Sequence, residues 1–270
     1  MDLPHGRRDI CRLESKIGPD SPLTFIRFSD GEMDIIRNHK AIIDRNLTHA
    51  RGYQFESSFP EYDYKTFIPE HNTDVRTDIL KSAMFRSKNY YIGIPTSHNK
   101  AILDRELMLR LRGGYDSCVT FSDLFVNSNF LYARHHFFPS IVSKFEKLYI
   151  LCNYRSVLNG VLAHGKVIKI GDNFFSNYRS VLSEVMEKIL RLESQSLLLC
   201  SASSLTNIIA YKTQFIRPDL TIIDIGTALN DYLGLGANTR TYHCQLNNST
   251  LKDVYKNIRY RMSSSYRLKW

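Results

Sequence analysis

Two carboxylates, Asp30 and Glu32, stand one glycine apart directly after the apolar run Thr24-Phe25-Ile26-Arg27-Phe28-Ser29. Hard oxygen ligands at that spacing suit Mg²⁺ or Mn²⁺, which keeps its other positions for waters and substrate phosphates. Phe25, Ile26 and Phe28 give the run the character of a buried strand, and Gly31 lets the chain turn sharply into a helix expected to start near Met33. Carboxyl ends of strands are where open α/β sheets bind ligands, so both carboxylates are expected at a site. The same residues also read as a plain helix start, with Asp30 as the cap and Glu32 solvated in a first turn whose dipole favours an acid. Spacing alone leaves the two readings open.

Two further run ends carry polar residues suited to a nucleotide. Leu197-Leu198-Leu199-Cys200 is followed by Ser201-Ala202-Ser203-Ser204, then Leu205, Ile208, Ile209 and Lys212 at helical spacing. Small residues on a strand-to-helix turn leave backbone N–H groups free to meet an anion, and the helix dipole adds to them. Serines there are also ordinary caps, and neither Gly-x-Gly-x-x-Gly nor a Walker sequence is present. Asp224 lies inside the apolar run 220–225, where an unpaired carboxylate would be costly, so a partner is required. Arg27 is either that partner, a partner for Asp30, or a phosphate contact. If an acceptor hydroxyl is to be deprotonated, Asp231, His98 and His243 are the candidate bases, Asp231 foremost because it follows a strand exit closely.

Arg27-Phe28-Ser29-Asp30-Gly31-Glu32 resembles the Arg-Phe-Gly-Asp-Gly-Glu signature of the GT-D-fold glycosyltransferases, whose Asp-x-Glu motif serves the metal and the nucleotide-sugar donor. By position, the resemblance implies Asp30 and Glu32 as metal residues. Asp224-Ile225-Gly226 is similar to the Asp-Ile-Gly segment near the end of such domains, and residues 201–204 lie where the family carries a small-residue loop before a helix. Phe125-Val126-Asn127-Ser128-Asn129-Phe130 is similar to an Asn-x-Asn stretch of related sequences. The likeness spans roughly residues 24–243 in order, with Ser29 for the usual glycine and Thr227 where many members have histidine. A catalytic role tied to that histidine does not transfer.

The elements that must hold these residues follow from hydrophobic patterning. Short, nearly continuous apolar runs at 90–95, 118–121, 147–152, 166–170, 197–200 and 220–225 mark strands covered on both faces. With helical stretches between them, they predict an α/β, Rossmann-like, mostly parallel sheet with helices on both faces. Residues 1–20 read as a short amphipathic helix through Ile10, Leu13 and Ile17, and 75–84 as another helix. Residues 46–73 are rich in aromatics and prolines with no clean period, and read as a lid, an acceptor loop or a loop packed on the core. No linker divides the 270 residues, so one domain is expected, ending in a basic amphipathic segment at about 250–270.

Composition bounds the partners. The formal charge of +9 favours anions, although Lys252, Lys256, Arg259, Arg261, Arg267 and Lys269 concentrate much of it near the end. No apolar run reaches the ~20 residues of a membrane span, and the start lacks the apolar core of a signal peptide. A cytoplasmic protein is expected, with peripheral membrane contact through the C-terminal segment left open. Five scattered cysteines without a Cys-x-x-Cys pair read as reduced thiols. The expected function is metal-dependent transfer of a sugar from a nucleotide-diphosphate sugar, with UDP as the expected nucleotide, to a glycan or glycoconjugate hydroxyl, using Mn²⁺ or Mg²⁺. The alternatives are a metal-dependent phosphoesterase or nuclease, and a non-catalytic module for nucleic acid or membranes; nucleic acid is the less expected partner.

Overall fold

The computed structural model describes residues 6–50, 53–56, 59–95 and 101–235. His98, His243 and the segment at about 250–270 lie outside the described residues. Helix α1 (Gly6–Lys16) is followed by strand β1 (Thr24–Arg27) and helix α2 (Asp30–Ile36). Four short strands come next: β2 (Ala41–Ile43), β3 (Leu47–Ala50), β4 (Tyr53–Glu56) and β5 (Lys65–Phe67). The chain continues through α3 (Thr73–Met84), β6 (Tyr90–Ile94), α4 (Ile102–Arg112) and β7 (Val119–Phe121). A helical stretch, α5 (Phe130–Tyr132), a π-helical turn and α6 (Phe138–Ser143), leads to β8 (Leu148–Asn153). The last elements are β9 (Lys166–Ile170), α7 (Tyr178–Leu190), β10 (Leu197–Ser201), α8 (Leu205–Ile216) and β11 (Thr221–Asp224).

Seven strands form one parallel sheet in the order β7-β6-β1-β11-β10-β8-β9. From β1, beside the central strand, the chain moves out through β6 to β7, crosses to β8 and β9, then returns through β10 to the central strand β11 beside β1. The carboxyl ends of β1 and β11 therefore face a crevice between connections that leave in opposite directions, the usual ligand position in such sheets. Both faces are buried. Ile26, Leu198 and Ile222 pack with α2, α3, α7 and α8 on one side, while Phe25, Leu199 and Ile223 pack with α1 and the 124–145 region on the other. Ile10, Leu13 and Ile17 bury one face of the N-terminal helical region, as their spacing predicts. The α/β class and the parallel sheet covered on both faces agree with the sequence reading.

Two local expectations are corrected. α2 begins at Asp30 and not near Met33, so Gly31 is a helical residue rather than a turn. The aromatic segment is not an irregular loop: β2–β5 build a second, antiparallel sheet in the order β4-β3-β2-β5. Strands of three or four residues are too short to display an alternation that stands out from aromatic-rich turns. Among the described cysteines, Cys118, Cys152 and Cys200 are buried free thiols, while Cys11 is exposed. No helix among the described residues is long and apolar enough to cross a membrane.

Candidate functional site

The carboxyl ends of the parallel strands and the inner side of the small sheet enclose a cavity of about 510 Å³. Every strand of the large sheet sends a residue to it from its exit: Arg27, Pro95, Ser122, Asn153, Gly171, Ser201 and Asp224. The centre of its floor is an ion pair. Arg27 Nη2 donates to Asp224 Oδ1 at 3.0 Å, the Arg27 backbone N–H to Oδ2 at 3.2 Å, and the Gly226 N–H to Oδ1 at 2.8 Å. Arg27 Nη1 also reaches the Ser122 carbonyl at 3.4 Å. The partner that a carboxylate in an apolar run requires is thus Arg27, one of the roles left open for that arginine. Gly226 has φ +46°, and a Cβ there would lie 1.6 Å from Arg27 Nη2, so only glycine fits beside the pair. Its N–H is given to Asp224 and not to a ligand.

At the start of α2, Ser29 is the N-cap and Glu32 reaches back to it, accepting from the Ser29 N–H at 3.0 Å and from Ser29 Oγ at 2.8 Å. This is the carboxylate half of a capping box. The cap is therefore Ser29 and not Asp30, and Glu32 is buried, not solvated. Burial pushes the Glu32 carboxyl above its ordinary range; Lys65 and the bonds from Ser29 pull it back, and Asp224 adds to the rise. Asp30, exposed, and Glu32 both line the cavity. Among the described residues no three His, Cys, Asp or Glu side chains are grouped to hold an ion. The donor set present, two carboxylates from one helical turn, fits a Mg²⁺ or Mn²⁺ that takes its remaining ligands from water and a substrate's phosphates.

The serine turn lies on the same cavity. Ser201, Ala202 and Ser203 line it; Ser201 Oγ donates to the Gly226 carbonyl at 2.7 Å, tying this turn to the next strand exit. Ser203 is exposed with φ +50°, and its carbonyl accepts the Thr206 N–H at 3.0 Å as α8 begins. Ser204, the N-cap of α8, is buried and does not line the cavity.

Asp231 is a correction. Its Oδ2 accepts from Arg134 Nε at 2.8 Å and from Arg134 Nη2, whose guanidinium also lies over the Tyr232 ring at 4.4 Å. The turns after Gly226 carry Asp231 off the cavity wall, where its carboxylate is bound to Arg134.

Sequence reasoning missed Asp123, two residues beyond β7, which does line the cavity. Burial raises its pKa, and a hydrogen bond with the Asn127 side chain and the charge of Arg27 pull it down. Asn127, in the Asn-x-Asn stretch, lines the cavity as well and has φ +54°. Asp123 was findable by the rule that selected Asp30, a carboxylate at the exit of an apolar run. Also missed were His49 and Lys65, brought to the cavity by the small sheet, and Tyr62, on the helical turn between β4 and β5. The lining reverses the protein's overall charge: seven carboxyl side chains, among them Asp34, Asp63 and Asp172, face Arg27, Lys65 and His49.

Two solved structures are similar to this chain. One is of the highly conserved domain of unknown function 1792, described as having a distinct glycosyltransferase fold, with 13% identity, a TM-score of 0.48, and cover of 97% of this chain and 81% of that one. The other is a selenomethionine-substituted structure of the same domain, with 14% identity, a TM-score of 0.46, and cover of 97% and 88%. No family model and no curated protein matches the chain.

Proposed function

We propose that this protein is a metal-dependent glycosyltransferase that moves a sugar from a nucleotide-diphosphate sugar, with UDP as the expected nucleotide, to a hydroxyl of a glycan or glycoconjugate. One observation carries the reading: Asp30 and Glu32 of the Asp-x-Glu wording share a single cavity with the Ser201-Ala202-Ser203 turn, although the two segments are far apart in the chain. The cavity lining carries more carboxyl groups than basic ones, so an anionic diphosphate is held better with a cation beside it. Asp30 and Glu32 would hold Mn²⁺ or Mg²⁺, which supplies positive charge against the diphosphate as it leaves.

The protein's own groups do the rest. Backbone N–H groups of the serine turn and the start of α8 receive phosphate oxygens. The Arg27–Asp224 pair fixes the two central strand exits relative to each other, so the turn and the Asp-x-Glu helix keep their spacing. Asp123, which lines the cavity and whose pKa burial raises, takes the acceptor proton if the reaction inverts. The small sheet forms the wall facing the sugar and its acceptor. Cytoplasmic location, and contact with an anionic membrane through the segment at about 250–270, complete the reading.

Incubation of purified protein with a panel of nucleotide sugars, with and without Mn²⁺, tests it: metal-dependent release of the nucleoside diphosphate is expected. Thermal stabilisation by nucleic acid with none by any nucleotide sugar would contradict it. The carboxylate-rich lining favours one second reading, a metal-dependent phosphoesterase. Product analysis separates the two, since hydrolysis of the phosphoanhydride bond in the same compounds gives sugar 1-phosphate and a nucleoside monophosphate in place of the nucleoside diphosphate.

A further inference from the structure

Lys65 and Arg27 are the two fixed cations of the cavity lining, and they are held differently. The Arg27 guanidinium is bound to Asp224 and to the Ser122 carbonyl. Lys65 comes from β5 of the small sheet and crosses to the first turn of α2, where a Cβ on Gly31 would lie 3.1 Å from its Nζ. Glycine between Asp30 and Glu32 therefore leaves the ammonium room to approach the helix. Lys65 is half-buried, and among the described residues its Nζ makes no hydrogen bond or ion pair; its influence on Glu32 acts through space. Lys65 lines the cavity beside the Asp30-Gly31-Glu32 helical turn, so an anion bound between the two sheets could take a charge-assisted contact from it.

We propose that Lys65 is a donor-binding residue that contacts the diphosphate of the nucleotide sugar, so that the small sheet takes part in donor recognition as well as forming the opposite wall. The assignment rests on the donor reading above and adds a residue on a separate element of the fold. Lys65 provides a direct, charge-assisted contact from an element separate from the serine turn, and this contact requires β5 to stay beside the start of α2.

Calorimetric titration of UDP and UMP with Mn²⁺ present, on wild-type protein, Lys65→Gln and Lys65→Arg, tests this, with melting curves confirming that the variants fold. Loss of one charge-assisted contact predicts that Lys65→Gln weakens UDP about tenfold and UMP less, while Lys65→Arg stays within about threefold of wild type. The salt dependence of UDP binding should also flatten in Lys65→Gln. Equal UDP affinity in wild type and Lys65→Gln would overturn the assignment alone. So would equal losses for UDP and UMP with no recovery in Lys65→Arg, the pattern of a purely structural lysine. A wild-type protein that binds no nucleoside diphosphate would overturn the donor reading and the assignment with it.

Discussion

Arg27 and Asp224 close the centre of the large sheet at its functional edge, one at the end of β1 and the other at the end of β11, with Nη2 and Oδ1 3.0 Å apart. Both side chains are largely buried, and Asp224 takes two backbone N–H bonds besides the guanidinium. Removing one partner leaves the other charge buried and unpaired. Asp224→Ala is therefore expected to destabilise the fold by about 3 kcal/mol or more in denaturant unfolding. Gly226→Ala should also destabilise it, because its methyl group would meet the same guanidinium. Wild-type unfolding midpoints in both variants would show that the pair does not brace the strand exits.

The Glu32 carboxyl has a folded pKa above its ordinary 4.5, chiefly through burial. A raised carboxylate pKa contributes stability that is fully present below 4.5 and lost as pH rises through the folded value. Glu32→Gln keeps an acceptor for Ser29 and cannot ionise. Its melting temperature should match wild type at acid pH and gain on it steadily as pH is raised toward neutrality. A difference that stays constant across that range would mean that Glu32 ionises without penalty.

In the proposed reaction Asp123 is the reacting carboxylate and Asp231 a structural one. Asp123→Asn should lower turnover by about 10² or more with little change in donor affinity, the size expected for loss of a general base. Asp231→Asn should keep turnover and lose stability, since it weakens the bond with Arg134. The reverse pattern in a steady-state assay would return the role of base to Asp231.

Much of the fold is legible in the chain because a strand buried on both faces has only one way to read. β6, β8, β10 and β11 are continuous apolar runs, and their exits point to Ser201 and Asp224. Other features depend on long-range geometry. Asp224 announces that it needs a partner, but that Arg27 answers depends on β1 and β11 lying side by side. Asp231 misleads because nearness in sequence to a strand exit says nothing about a chain that turns through 226–234 and ends against Arg134. Lys65 is hidden because it lies on a sheet of very short strands whose existence the aromatic segment does not advertise.

The serine turn makes a separate prediction. Ser203 is exposed on the cavity wall, so a carboxylate there meets the donor without disturbing packing. Ser203→Glu should weaken nucleotide-sugar binding at least about tenfold by like-charge repulsion while the fold persists. Unchanged affinity by titration calorimetry would remove the turn from the donor site.

The central claim is that Asp30 and Glu32 together support a divalent ion at the donor diphosphate. It is tested most directly by metal-dependent turnover of nucleotide sugar in Asp30→Asn and Glu32→Gln, with circular dichroism alongside. Both changes keep shape and most hydrogen-bonding capacity while removing charge, so folded protein is expected. Because the ion offsets charge building on the leaving diphosphate, each variant should lose about 10² or more in turnover, beyond the ~1 kcal/mol of a helix cap. Two well-folded variants with wild-type, Mn²⁺-dependent turnover would falsify the account and leave Glu32 as the capping residue of α2 and nothing more.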